Sequence, residues 1–188
     1  VAAASGALVV ATVGGTFSPL GDISVLAQRQ PGLGPQGLPV NKSAAGARVA
    51  DLARRPDYRL VVEGAVDRRL ELSLADLQEL EQHEATLPIA CVEGWSASAR
   101  WRGVRVRDLL TMARARERSI VAVESLQATG RYRRSELNPD QRSDPDTLLA
   151  LELNGEPLHI DHGYPVRLIG PNRPGVLQTK WVARLVVA

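Results

Sequence analysis

Pro88-Ile-Ala-Cys-Val-Glu-Gly-Trp95 is followed closely by Trp101-Arg-Gly-Val-Arg-Val-Arg-Asp-Leu-Leu110, and these stretches decide how the rest of the chain reads. Ala85 to Cys91 has the pattern of a short extended segment. Val106 to Ala115 changes period, with Leu109, Leu110 and Met112 in helical register. The extended segment ends on the chain's only cysteine. Cys91 taken alone admits three readings: an inert core thiol, a nucleophile, or a single metal ligand. One cysteine forms no intrachain disulfide, and it is too few for a zinc finger or an iron–sulfur centre.

Outward from there the same alternation of short strands and short helices continues. Arg59 to Glu63 reads as a strand ending at Gly64, with Leu70 to Leu74 as its neighbour. Ser73 is placed to cap a helix that shows Leu74, Leu77 and Leu80 on one face. Ile120 to Leu126, Leu148 to Leu153, Pro165 to Ile169 and Lys180 to Val187 read as further strands, and Asn154-Gly155 signals a hairpin. Many short strands with few short helices predict an α+β domain with mixed sheets.

The 188 residues suit one domain plus a tail. Hydrophobic residues make up 44% and charged residues 23%, which argues against disorder and coiled coil. Val1 to Leu20 carries no charge and is expected to be an apolar tail or the end of a membrane segment. Residues 21–56 are rich in Pro and Gly and are expected to form a linker that wraps the domain, and residues 57–188 form the domain itself. The net charge is +2, but the bases are unusual: only Lys42 and Lys180 are lysine and the remainder of the 23 are arginine. Either a coding bias or anion binding explains that preference.

Hydrolase and nucleotide motifs are absent: there is no GxSxG, no HExxH, no GxGxxG between strand and helix, and no GxxxxGK[ST]. Arg100 to Arg118 holds seven arginines against Asp108 and Glu117. Without a recognisable binding motif around it, this run is expected to be a solvated face rather than a nucleic-acid surface. His159 and His162 flank Asp161 in what reads as a loop. Gly170-Pro-Asn-Arg-Pro-Gly175 is an irregular loop whose free N–H groups suit an oxyanion, and Lys180 follows it.

These pieces, in this order, resemble the molybdopterin-dependent sulfite oxidase family. The likeness runs through Pro88 to Trp95, Trp101 to Leu110, Pro145 to Leu158, His162-Gly-Tyr-Pro-Val-Arg167 and Gly175 to Trp181. It implies a sulfite-oxidase-type molybdopterin-binding fold and a molybdenum–molybdopterin cofactor. It implies that Cys91 is the molybdenum ligand, that His162 and Arg167 hold the pterin and its phosphate, and that Gln178, Thr179 and Lys180 clasp the cofactor. Asn41 and Lys42 match a strip that closes over the pterin, and Glu124 falls near another cofactor contact. Tyr132 resembles a tyrosine beside the metal, and Arg131 is placed to steer an anionic substrate.

A soft thiolate suits a soft metal–sulfur centre. Val92-Glu93-Gly94-Trp95 after the cysteine brings the chain closer to the bacterial branch typified by a periplasmic methionine-sulfoxide reductase subunit, and Leu177, where animal sulfite oxidases carry arginine, disfavours a sulfite dianion. The expected function is two-electron oxygen-atom transfer on a small oxo-compound. A membrane haem or quinone-linked protein is the expected partner, and an extracytoplasmic, membrane-tethered site the expected location. The alternative is a non-catalytic anion- or pterin-binding module of the same fold.

Overall fold

A computed structural model describes residues 34–90 and 96–188. Two sheets carry the domain. In the first, β1 (Leu60–Gly64), β2 (Leu70–Leu72), β5 (Val121–Ser125), β6 (Arg134–Leu137) and β10 (Val182–Val187) lie in the order β2-β1-β10-β5-β6. Only the β1–β10 pair is parallel. In the second, β3 (His83–Ala90), β4 (Ser96–Arg105), β7 (Leu148–Leu153) and β8 (Glu156–Pro157) are antiparallel neighbours, and β9 (Arg167–Ile169) also pairs with β7. Among the described residues four short helices complete it: α1 (Ala50–Ala53), α2 (Leu74–Glu79), α3 (Val106–Met112) and α4 (Pro139–Ser143). The fold is α+β with mixed sheets, as expected.

Alternation sets the faces. Leu60 and Val62 of β1, Val121 and Val123 of β5, and Leu185 and Val187 of β10 point inward and pack with Leu109 and Leu110 of α3 and Leu77 of α2. Helix α2 starts where the sequence placed it: Ser73 and Asp76 form a reciprocal capping box. A second apolar cluster gathers Ile89, Trp101, Leu148, Leu153 and Ile169 around the second sheet. A third, smaller one places Ala44, Val49 and Ala53 against Trp181.

Three local expectations need correction. The arginine-rich run is not one solvated stretch: its first part is β4, a ten-residue strand. Ala99 and Trp101 point inward while Arg100 and Arg102 point outward, and Arg102 pairs with Glu152 at 2.6 Å. Gly103 sits at a register shift where any Cβ would lie 2.1 Å from the Leu149 carbonyl oxygen. Helix α3 stops at Met112, before Arg114 turns left-handed at φ 50. Strand β6 and helix α4 were not anticipated, because Arg134 to Ser143 carries little apolar signal beyond Leu137.

Candidate functional site

A cavity of about 260 Å³ opens where both sheets meet the N-terminal strap. Pro39, Asn41 and Lys42 from the strap form one wall, and Ile89 near the end of β3 forms another. Gln127 and Tyr132 reach it from the loop joining β5 to β6, and Arg167 comes from β9. Gly175, Val176, Gln178, Thr179, Lys180 and Trp181 close it. Three of these residues are cations and none is a carboxylate.

Arg167 is the least ordinary of them. It is 4% exposed. Its Nη1 donates to the His162 carbonyl at 3.0 Å, and its guanidinium carbon lies 5.3 Å from the Trp101 ring centroid. Its Nε is buried without a partner, and among the described residues no carboxylate pairs with it. Burial pushes its pKa down to about 10. The aromatic face stabilises the charge in part but does not neutralise it. Beside it, the Gln178 amide donates to the Arg173 carbonyl at 3.1 Å, which leaves Gln178 Oε1 buried and without a partner.

The flanking cations are tied to the framework. Lys180 Nζ donates to the carbonyls of Lys42 (3.0 Å) and Asp161 (2.6 Å), and Lys42 Nζ donates to Gln127 Oε1 (2.7 Å). Thr179 shares a 2.7 Å hydroxyl contact with Ser135 of β6. The strap is fastened further back as well. Gln36 donates to the carbonyls of Leu153 and Pro157 and accepts from the His159 amide, and the Ala44 amide donates to Asp161 Oδ1. His162 is buried, with Nε2 2.7 Å from the Pro35 carbonyl oxygen. That oxygen only accepts, so Nε2 carries the proton. Burial, followed by the neighbouring Arg167 and Lys180, holds His162 down at about 4, so it is neutral at pH 7. Gly163 follows at φ +117, and a Cβ there would lie 3.1 Å from Arg167 Cβ and 3.3 Å from Lys180 Cα.

The structure therefore brings Asn41, Lys42, Tyr132, Arg167, Gln178, Thr179 and Lys180 to one cavity. His162 stands behind Arg167 rather than on the lining. Arg131 lies just outside, its guanidinium 5.8 Å from the Tyr132 ring centroid. Glu124 is placed elsewhere: strand alternation turns it away from Ser125, whose hydroxyl reaches the Lys180 carbonyl, and its carboxylate is engaged by Arg184 at 2.6 Å. Cys91 lies outside the described residues; β3 ends one residue earlier, where a Cβ on Gly175 would meet the Ala90 carbonyl oxygen at 2.9 Å. Among the described residues no group of three or more His, Cys, Asp or Glu is arranged to hold a metal. Also among them, no helix is long and apolar enough to cross a membrane.

The sequence reading missed Gln127, Ile89 and Trp101 as parts of the site. Gln127 had a signal, since a glutamine directly after an apolar strand needs a polar partner if buried. Trp101 was quoted in a motif, but its place under Arg167 depends on the pairing of β4 with β7, which local spacing does not reveal.

The family described as "Oxidoreductase molybdopterin binding domain" matches residues 47–188. Mitochondrial sulfite oxidase of Rattus norvegicus is 35% identical over 160 residues, covering 70% of this chain and 29% of that protein. The uncharacterized oxidoreductase YuiH of Bacillus subtilis is 33% identical over 129 residues, covering 66% of this chain and 62% of YuiH. Among solved structures, the sulfane dehydrogenase SoxCD from Paracoccus pantotrophus superposes with a TM-score of 0.65 at 27% identity, over 70% of this chain and 38% of that one. The chain thus spans less than a third of the length of the rat enzyme it matches.

Proposed function

The chain belongs to the family of molybdopterin-binding oxidoreductase domains of sulfite oxidase type, and from that premise we propose that it performs two-electron oxygen-atom transfer on a small oxo-compound such as sulfite or a sulfoxide. The observation that carries the reading is Arg167, a buried cation on the cavity lining with an unpartnered Nε and, among the described residues, no acid paired with it. A buried charge left in that state awaits a counter-ion. A molybdopterin phosphate fits it. The unpartnered Gln178 oxygen fits an N–H of the pterin.

When bound, the molybdenum–molybdopterin group supplies the two-electron redox chemistry. The protein's part is to bind and orient. Arg167 grips the anionic end with its planar fork. Gln178 and Thr179 present side-chain oxygens, and Lys180 and Lys42 add positive field at the flanks. Neutral His162 donates from Nε2 to Pro35 and so ties the strap, which carries Asn41 and Lys42, to the turn behind Arg167. Tyr132, 45% exposed at the cavity, offers its phenol as a proton donor toward substrate, and Arg131 beside it draws an anion in. Cys91 would supply the thiolate for molybdenum; the carbonyl of its neighbour in sequence, Ala90, lies close to Gly175 of the cavity lining. Glu124 takes no part, because Arg184 already satisfies it.

The uncharged stretch Val1 to Leu20 supports an extracytoplasmic domain tethered to a membrane, with a membrane haem or quinone-linked protein receiving or delivering electrons. The test is elemental analysis of protein matured in a host that makes molybdopterin. We expect about one molybdenum per chain, lost in Cys91→Ser while the fold is kept. No metal in the unmutated protein would leave only an anion- or pterin-binding module.

A further inference from the structure

The second half of the arginine-rich run takes no part in the cavity. We propose that the loop from Arg114 to Ile120 is a docking surface for an anionic lipid bilayer. Arg114, Arg116 and Arg118 are all exposed there, with Arg68 beside them, against Glu117 and Asp67. Among the described residues none of the four arginines has a carboxylate partner, so ion pairs do not cancel the charge of this loop. Ile120 stands in the same loop, 47% exposed.

The patch is preformed. The Arg68 amide donates to the Ala113 carbonyl at 3.0 Å, the Arg116 amide to the Ala65 carbonyl at 3.0 Å, and Arg142 Nη1 to the Arg116 carbonyl at 2.8 Å. Arg114 and Arg118 are held in left-handed backbone, at φ 50 and 53. Such conformations persist in non-glycine residues where surrounding contacts impose them. A braced cationic loop loses little freedom on meeting a charged surface. Cations around an exposed aliphatic side chain fit the interface of a bilayer, where headgroups take the charge and acyl chains take the isoleucine. The loop has no aromatic side chain on which a base could stack, which favours lipid over nucleic acid.

The placement has a consequence for access. Ile120 directly precedes β5, and the cavity residue Gln127 follows its other end. The two sites are therefore separated by roughly 16 Å of strand. A domain seated on this loop leaves its cavity clear of the lipid. The proposal does not depend on the cofactor, and protein without molybdenum should show it equally.

The test is co-sedimentation of the full 188-residue chain with vesicles of phosphatidylcholine alone and of phosphatidylcholine mixed with phosphatidylglycerol. The readout is the ratio of the two affinities, because the uncharged Val1 to Leu20 stretch does not discriminate headgroup charge. The triple variant Arg114→Gln, Arg116→Gln, Arg118→Gln should lower that ratio roughly a hundredfold, about fivefold per charge. High salt should abolish the preference in the unmutated chain. If the triple variant is unfolded by circular dichroism, Arg116→Gln and Arg118→Gln singly should each cost about fivefold. Ile120→Ser should weaken binding to both vesicles without changing the ratio. An unmutated chain with no preference for the anionic vesicles overturns the proposal. So does a folded variant with the unmutated ratio, and so does displacement from the vesicles by a short RNA at equal charge concentration, which would make this a nucleic-acid surface.

Discussion

Arg184 on the outer face of the first sheet and Arg167 at the cavity are the same side chain in opposite surroundings. Arg184 has a half-exposed side chain and lies within reach of Glu124 at 2.6 Å and Glu63 at 3.2 Å. Its hydrogen bond to Glu124 raises its pKa. Glu63 also meets Arg69, so the outer face carries a ladder of charges that cancel among themselves. Arg167 is buried, touches one carbonyl and one aromatic ring, and is pushed down to about 10 by burial. The ladder already has all its partners inside the chain. Among the described residues Arg167 has no such partner, and the one its charge calls for is an anion.

Removing the charge at each place separates the two roles. Arg167→Met should cut molybdenum retained per chain by a factor of roughly 30 or more, as for a buried charged contact that loses its mate. Thermal unfolding of the cofactor-free variant should be unchanged or higher, because an isolated buried cation opposes folding. A variant that unfolds but keeps metal when refolded at low temperature would put Arg167 in the core and out of the site.

The effect of acid should be next in size. The pKa of His162 is about 4 in the fold against 6.5 free, so as pH falls the unfolded chain takes up the proton first. The stabilising contribution is complete above pH 6.5, falls below it, and is exhausted once pH passes 4. It amounts to roughly 3 kcal/mol. Denaturant melts across that range, compared with His162→Gln, should show the slope in the unmutated protein alone; equal slopes would mean that the imidazole is hydrated. The smallest effect belongs to the ladder. Arg184→Ala should lower stability by about 1 kcal/mol or less, and less still in high salt, with cofactor content untouched.

The sequence made parts of this legible because their physics is local. Ser73 with Asp76, the Asn154-Gly155 turn and the alternation through Leu148 to Leu153 each declare an element from neighbouring residues. The residues gathered from Arg167 to Lys180 were legible as an ordered motif. Strand β4 was harder to see, since arginines at 100, 102 and 105 mask the inward Ala99 and Trp101. Glu124 was expected near the cofactor from the resemblance alone, and which face a strand residue takes is not legible until the register is known. The difference between Arg167 and Arg184 was not legible either, because it rests on partners far away in the chain, His162 apart.

The central claim is that Arg167, which pairs with no acid among the described residues, holds an oxyanion. Titration calorimetry of inorganic pyrophosphate into the cofactor-free protein tests this most directly. The account predicts one saturable site per chain, weakened at least about tenfold in Arg167→Met and unchanged in Arg184→Met. Absence of binding in the unmutated protein, or equal binding by both variants, would contradict it.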